Sequence, residues 1–162
     1  MRVRPYRPED APALVALFHA AVHQIGGLYY SQAQVDAWAP EVPDAARFRA
    51  RAADGRTVLV AVDDDDAPLA YGDVEDDGHI DHLFCRPDAA GTGVTAALYA
   101  AIEAAARARG IDLVYVEASV PARRFFLKRG FDMLGRRDFE MGGVAIHNFE
   151  MEKRLRARRR SG

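Results

Sequence analysis

One stretch constrains the fold more than any other, and it runs from His79 to Leu98 with the sequence HIDHLFCRPDAAGTGVTAAL. A short run of strand-forming residues is stopped by Arg86-Pro87, and a loop with two glycines leads into a long alanine-rich segment with helical spacing. This order predicts an anion site, because the first N–H groups of a helix lack internal partners and the helix dipole adds positive charge there.

The glycines of this loop, Gly91 and Gly93, predict close approach of the backbone to a phosphate or pyrophosphate. Two familiar phosphate loops do not fit. The nucleotide-hydrolase loop requires Lys-Ser or Lys-Thr after its last glycine, where Val94-Thr95 stands, and the dinucleotide fingerprint requires a third glycine at Ala96. An ordinary surface loop remains the alternative on this evidence alone.

Four separated segments carry a family resemblance: RPDAAGTGVTAAL, GIDLVYVEAS, PARRFFLKRGF and MGGVAIHNFEMEKRL. Together they resemble the GCN5-related N-acetyltransferase (GNAT) family, over about residues 2 to 155. The resemblance implies an α+β fold with a mixed, mostly antiparallel central sheet, whose central strands splay apart and whose faces are covered by helices. It also implies one domain over residues 1–155, followed by a basic tail at 156–162.

The resemblance further implies an N-acetyltransferase that moves an acetyl group from acetyl-CoA to a primary amine by direct attack. The acceptor would be a small amine, an amino acid or a peptide amine. The positions implied to bind the cofactor are Leu83, Phe84 and Cys85 on the central strand, Ala90, Gly91, Thr92, Gly93, Val94 and Thr95 in the loop, and Ser119 and Phe126 beyond it. Ala90 and Thr95 depart from the family's loop pattern.

The candidate proton acceptors lie just before the implied cofactor strand. Regular strand alternation places His79 and Asp81 on the face of Leu83, so that Asp81 can raise the basicity of the imidazole. If a bulge shifts the alternation, His82 becomes the candidate, with Glu75 on the neighbouring strand a weaker one. The alternative is that His79 and Asp81 only satisfy each other at a sheet edge.

Phe126 stands where the family often has a tyrosine that protonates the leaving thiolate. This departure keeps open an alternative function, a non-catalytic acyl-CoA-binding or regulatory protein. A third class, an adaptor that engages nucleic acid through the basic tail, also remains.

An aromatic corner follows the first helix and contains Tyr29, Tyr30 and Trp38. In the resembled family this region forms a wall of the acceptor pocket, so the three residues are candidate substrate contacts, with core packing as the alternative. A helix is predicted to begin here at Ser31, with Gln34 completing a capping box.

Periodicity and turn residues predict the remaining elements. Residues 57–62 and 69–75 are predicted as two strands of an antiparallel meander, and the four aspartates from Asp63 to Asp66 as a solvated turn and not a metal site. After the glycine loop, a helix ending at Gly110 is predicted to lead into a strand over residues 111–117, locally parallel to the central strand. The segments 131–139 and 144–151 are predicted to form a final hairpin.

The composition limits the number of domains, the class of binding partner and the cellular compartment. With 162 residues and a formal net charge of −2, the chain is long enough for one core and has no global positive field to recruit nucleic acid. The only dense basic run, Lys153 to Arg160, is interpreted as a solvated tail. The single cysteine, Cys85, excludes an internal disulfide, and no signal peptide or segment of membrane-span length is recognised. We expect a cytoplasmic protein, which family resemblance suggests is a homodimer.

Overall fold

A computed structural model describes residues 1–156, in which helices cover two antiparallel sheets. The strands and α-helices, in chain order, are β1 (Arg2–Pro5), α1 (Ala11–Gln24), α2 (Gln32–Trp38), α3 (Ala45–Ala52), β2 (Thr57–Val62), β3 (Pro68–Val74), β4 (Leu83–Cys85), α4 (Val94–Ala108), β5 (Leu113–Ala118), α5 (Val120–Lys128), β6 (Asp132–Met141) and β7 (Val144–Arg154). The order β1-β2-β3-β4 forms the first sheet, and β5-β7-β6 forms the second.

The two sheets meet at a single parallel bridge between His79 and Tyr115. The N–H of Ile80 donates to the Tyr115 carbonyl at 2.9 Å, and the Tyr115 N–H donates to the Gly78 carbonyl at 3.1 Å. Beyond this bridge β4 stays with β3 while β5 stays with β7, so the two strands separate. The predicted α+β fold with splayed central strands is therefore confirmed.

Helices bury both faces of the first sheet. Helix α4 packs Leu98 and Ile102 into one core, and α1 packs Leu14 and Leu17 into another with Tyr71 of β3. Burial on both faces explains why β2 reads as the nearly continuous apolar run TVLVAV.

Several local predictions are confirmed. Ser31 caps α2, with the Gln34 N–H donating to its hydroxyl oxygen at 3.1 Å and the Ser31 N–H donating to the Gln34 side chain at 2.9 Å. Strand β2 has the predicted bounds, and the aspartate run forms a turn in which Asp63 accepts the N–H groups of Asp65 and Ala67.

Two predictions about the chain ends are wrong. The basic run does not begin in a tail, because Lys153 and Arg154 belong to β7 and Lys153 pairs with Glu103 at 2.5 Å; residues 157–162 of the predicted tail lie outside the described part of the chain. The segment Pro8–Leu28 does reach the length and apolarity of a membrane span. Its side chains at Leu14 and Leu17 are buried against the sheet, the arrangement of an amphipathic core helix.

Candidate functional site

Two cavities meet where β4 leaves β5. The loop cavity, of about 510 Å³, lies beside the glycine loop, and the splay cavity, of about 330 Å³, lies between the separated strands. Residues that line both are Trp38, Leu83, Phe84, Ser119 and Ala122. A ligand entering along the loop cavity would therefore reach the splay cavity at β4.

The glycine loop presents a set of free main-chain donors. Gly91 and Gly93 have φ of +76° and +88°, and a Cβ at either position would meet nothing within 4 Å. Within residues 1–156, no acceptor is found for the N–H groups of Gly91, Gly93, Val94, Thr95 and Ala96. Open space and unpartnered donors at the start of a 15-residue helix fit a diphosphate.

The predicted cofactor positions divide into two groups. Those that line the loop cavity are Leu83, Phe84, Cys85, Ala90, Gly91, Gly93, Thr95 and Ser119, together with the cations Lys128 and Arg129. The side chains of Thr92 and Val94 do not line it. The Thr92 hydroxyl donates to the Ala89 carbonyl at 2.5 Å, and the Val94 side chain is buried in the α4 core, so both stabilise the loop itself.

Within residues 1–156, no hydrogen-bond partner is found for the main chain of β4 on the side away from β3, where Leu83 and Cys85 line the loop cavity. The Arg86 N–H donates to the Leu69 carbonyl, and the Asp73 N–H donates to the His82 carbonyl. Because hydrogen-bonded and non-hydrogen-bonded pairs alternate in an antiparallel ladder, the hydrogen-bonded pair between these two is Phe84 with Tyr71. The N–H and C=O groups of Leu83 and Cys85 consequently point away from β3. Of the three predicted β4 positions, Phe84 can contribute only its side chain.

The junction of the cavities is organised around the start of α5. Ser119 caps this helix, accepting the Ala122 N–H at 3.3 Å. The Tyr30 hydroxyl accepts the Val120 N–H at 2.8 Å and donates to the His147 carbonyl at 3.3 Å. Phe126, 1% exposed, touches the splay cavity and not the loop cavity.

The aromatic corner contributes unevenly to the cavities. Trp38 lines both, and Tyr30 lines the splay cavity with a ring that is 7% exposed. Tyr29 lines neither cavity and is 56% exposed, so the structure does not bring it together with the other predicted substrate contacts. Tyr29 ends a short turn, and the next residue, Tyr30, points inward.

Asp73 determines the course of the chain before β4. This carboxylate, 1% exposed, accepts the N–H groups of Asp81 and His82 through Oδ1 at 2.9 and 3.0 Å. Its Oδ2 accepts from Arg51 at 2.6 Å and from Arg56 at 3.1 Å. A side chain thus replaces the main-chain acceptor that a continuous strand would use, and β4 begins only at Leu83.

This interruption makes the predicted alternation wrong. Ile80 and Leu83 both pack against the core of α4, whereas His82 stacks on Phe18 of α1 at 5.6 Å, on the side of Phe84. Sequence analysis missed Asp73, although a carboxylate within the apolar strand PLAYGDV was a visible signal.

The surroundings of both Asp81 and His82 disfavour the protonated form of these side chains. Burial favours the neutral form of Asp81, but the hydrogen bond from Arg51, at 2.6 Å, and the other positive groups around the carboxylate, including Arg56, together outweigh burial and lower the pKa of Asp81. The predicted partnership of Asp81 with His79 is therefore replaced by an ion pair. Burial, followed by the charge of Arg51, lowers the pKa of His82 to about 4, and its Nδ1 lies 2.9 Å from the Tyr71 hydroxyl.

His79 lies instead between two glutamates. Its Nδ1 is 2.8 Å from Oε1 of Glu75, its Nε2 is 2.5 Å from Oε2 of Glu117, and its ring stacks on Tyr115. Burial opposes protonation of the ring, but the hydrogen bonds to Glu117 and Glu75 outweigh it and raise the pKa of His79. His79 and Glu117 line the splay cavity, whereas Glu75 does not.

Sequence analysis also missed Glu117 and Arg137. Glu117 is a charged residue in the otherwise apolar strand LVYVEA, which was its only signal. Arg137 lines the splay cavity from β6, which is separated from β5 by β7 in the second sheet, together with the apolar residues Phe139 and Met141. The cavity therefore carries a carboxylate–imidazole group at the splay, a guanidinium on β6 and an aromatic wall.

Comparisons with known proteins agree on one family. The sequence model of the acetyltransferase (GNAT) domain matches residues 28–153. The chain is 29% identical over 151 residues to the uncharacterized N-acetyltransferase YafP of Escherichia coli (strain K12), covering 93% of this chain and 94% of that one.

Solved structures show the same fold. The GCN5-related N-acetyltransferase "Aminotransferase, Class-II" from Rhodopseudomonas palustris is 36% identical with a TM-score of 0.86, covering 94% of each chain. The putative acetyltransferase yncA of Salmonella typhimurium, solved with acetyl-CoA, is 17% identical with a TM-score of 0.76, covering 97% of this chain and 95% of that one.

Proposed function

Because the chain belongs to the GCN5-related N-acetyltransferase family, we propose that its loop cavity binds acetyl-CoA and its splay cavity binds the amine that receives the acetyl group. The observation that carries this proposal is the meeting of the two cavities at Leu83, where main-chain groups are free on the cavity side. Acetyltransferase activity is favoured over the non-catalytic alternative, because a second, polar cavity beside the cofactor cavity would serve no purpose in a protein that only binds acyl-CoA.

The cofactor is held largely by main-chain groups. The N–H groups of the glycine loop receive the diphosphate, with Lys128 and Arg129 supplying positive charge from α5. The N–H and C=O groups of Leu83 and Cys85 pair with the pantetheine arm as an added strand would. Backbone recognition explains why Ala90 and Thr95 can depart from the family's loop pattern.

The bound acetyl-CoA supplies the thioester carbonyl that the amine attacks. An amine is protonated at neutral pH, so a group in the splay cavity must take its proton before attack. Nε2 of His79 lies 2.5 Å from Oε2 of Glu117, and both side chains line the cavity. We assign proton acceptance to this pair, with Glu75 holding the far nitrogen of the imidazole.

No acidic side chain stands at Phe126 to protonate the leaving thiolate. The Tyr30 hydroxyl is engaged by the Val120 N–H and the His147 carbonyl, and the Ser119 hydroxyl caps α5. Thiols of ordinary pKa leave as thiolates far more readily than alcohols do, so turnover does not require an acid at this position.

A matched pair of glycine variants tests the proposal. Gly91 and Gly110 have φ of +76° and +78°, and an added Cβ at either meets nothing within 4 Å, but only Gly91 lines the loop cavity. Gly91→Ala and Gly110→Ala should therefore cost similar stability, about 1–2 kcal/mol. In calorimetry with acetyl-CoA, only Gly91→Ala should weaken binding, by about 10-fold or more, since the methyl group projects toward the ligand. Equal affinity in both variants, or no binding by the unmodified protein, would exclude the loop cavity as the cofactor site.

A further inference from the structure

The splay cavity has opposite charges on its two walls. At the splay the carboxylate that lines the cavity is Glu117, which contacts Nε2 of His79. Glu75 contacts the other imidazole nitrogen from outside the cavity and also lies 3.8 Å from Arg56, so the negative charge facing the cavity here is that of Glu117. On the β6 wall stands Arg137, which has no carboxylate partner within residues 1–156. The remaining cavity carboxylate, Asp81, is neutralised by Arg51 and Arg56.

The guanidinium of Arg137 is held in place with its terminal nitrogens free. Its Nε donates to the Asn148 side-chain oxygen at 3.0 Å, across the β6–β7 pair, and its Cζ lies over the ring of Phe139, 4.5 Å from the ring centroid. In the described chain no acceptor is found for its two terminal nitrogens. A fork anchored at Nε and stacked on an aromatic ring is preorganised to bind a carboxylate.

Arg136, the adjacent residue, shows the contrast. It points to the other face of β6, forms an ion pair with Asp138 at 2.8 Å, and lines neither cavity. The two neighbouring arginines therefore differ in their ion pairing. Arg136 is paired with a surface carboxylate, whereas Arg137 lines the splay cavity with no carboxylate partner in residues 1–156.

The wall between the two charges is apolar. It consists of Phe18, Trp38, Phe84, Phe139, Met141 and Ile146. A ligand that satisfies all three surfaces has an ammonium for Glu117, a carboxylate for Arg137 and an apolar group for the aromatic wall. A cavity of about 330 Å³ has room for one small molecule of this kind.

From this arrangement, and on the basis of the function proposed above, we infer that the acceptor is a free α-amino acid with an apolar side chain. The α-ammonium lies toward Glu117 and loses one proton there. Its nitrogen then forms the new bond to the acetyl carbon as the bond from that carbon to sulfur breaks, and the second proton of the nitrogen goes to the departing thiolate. Arg137 holds the α-carboxylate and is a specificity-determining residue that does not touch the transferred group.

The experiment compares amino acids with their amides. Phenylalanine, methionine and leucine, each beside its primary amide, are offered to the enzyme with acetyl-CoA, and thiol release is followed in the wild-type protein and in Arg137→Gln, Arg137→Lys and Arg136→Gln. The wild type should favour the acids, and Arg137→Gln should reduce the acid-to-amide ratio of kcat/KM by about 10-fold or more. Arg137→Lys should retain part of the preference, and Arg136→Gln should retain all of it. The amines of acids and amides differ in pKa, which affects their rates. This effect cancels when the acid-to-amide ratio of the variant is divided by that of the wild type.

The outcomes separate this inference from the proposal on which it rests. If Arg137→Gln lowers kcat/KM equally for acids and amides, the carboxylate is not recognised by Arg137 and the inference is overturned while the transferase remains. If the protein binds acetyl-CoA but releases no thiol from it with any of the six amines, the inference is also overturned. Failure to bind acetyl-CoA at all removes the proposed function itself.

Discussion

Nε2 of His79 lies 2.5 Å from Oε2 of Glu117, a residue 38 positions later in the chain. The contact forms just beyond the bridge that joins the two sheets, where β4 and β5 begin to separate. This carboxylate–imidazole pair therefore lies at the opening of the splay, beside the position proposed for the reacting amine.

Glu117 should contribute more to turnover than Glu75, although both bind the same imidazole. Glu117→Gln removes the carboxylate that lines the splay cavity, and kcat should fall by about 10²-fold or more because the amine loses its proton acceptor. Glu75→Gln keeps that carboxylate and should cost far less. Steady-state kinetics on both variants checks this prediction, and equal losses would assign the two glutamates a common role in orienting His79.

His79→Ala should lower turnover at neutral pH more than it changes affinity for acetyl-CoA. The imidazole lines the splay cavity but not the loop cavity, so its loss leaves the cofactor contacts intact. Kinetics together with calorimetry on the same preparation distinguish the two effects. An equal loss in both quantities would remove His79 from proton transfer.

The pH dependence of kcat should reveal the raised pKa of His79. Because the hydrogen bonds to Glu117 and Glu75 outweigh burial, the ring holds its proton to a pH above its ordinary value of about 6.5, and the rising limb should lie above that pH. In Glu117→Gln the rising limb of the remaining activity should move to lower pH, because the hydrogen bond that raises the pKa of His79 most is gone. A limb that stays in place would show that another group titrates.

The Tyr30 hydroxyl should stabilise the start of α5. Tyr30→Phe leaves the Val120 N–H without its partner at 2.8 Å in a half-buried position, and should lower the free energy of unfolding by about 1–2 kcal/mol. Tyr29→Phe is the matched control, because Tyr29 is exposed and lines neither cavity. Urea denaturation of the two variants measures the difference, and similar losses would contradict a specific role for the Tyr30 bond.

Asp73 should be the most costly carboxylate to neutralise. Asp73→Asn removes a charge that is 1% exposed and holds two arginines and two main-chain N–H groups, so we expect a loss of about 3–5 kcal/mol of unfolding free energy. Asp54→Asn, which removes an exposed partner of Arg56, should change the unfolding free energy little. Comparable denaturation midpoints for the two variants would show that the buried network contributes no more than a surface pair.

Much of the local structure was predictable because it depends on residues close together in the chain. The capping box at Ser31, the positive φ of Gly91 and Gly93, and the bounds of β2 follow from propensity and spacing within a few residues. The candidate cofactor cavity was largely predictable for the same reason, since a strand, a glycine loop and a helix in that order place free N–H groups at one end.

The proton-transfer group was predictable only in part. His79 was a candidate from its position before β4, but its partner was expected to be Asp81, two residues away. Asp73, eight residues before Asp81, takes up the N–H groups that would have continued the strand, and this turns Asp81 toward Arg51 and not toward His79.

The order of elements, the helix with free N–H groups at its start and the family resemblance could all be predicted from local patterns in the chain. The separation of β4 from β5, the contact of Glu117 with His79 and the position of Arg137, which has no acidic partner in the described chain, are visible only in the folded protein. These relationships depend on side chains brought together from distant strands. Alternation within one strand cannot predict such contacts once a buried side chain replaces a main-chain hydrogen bond.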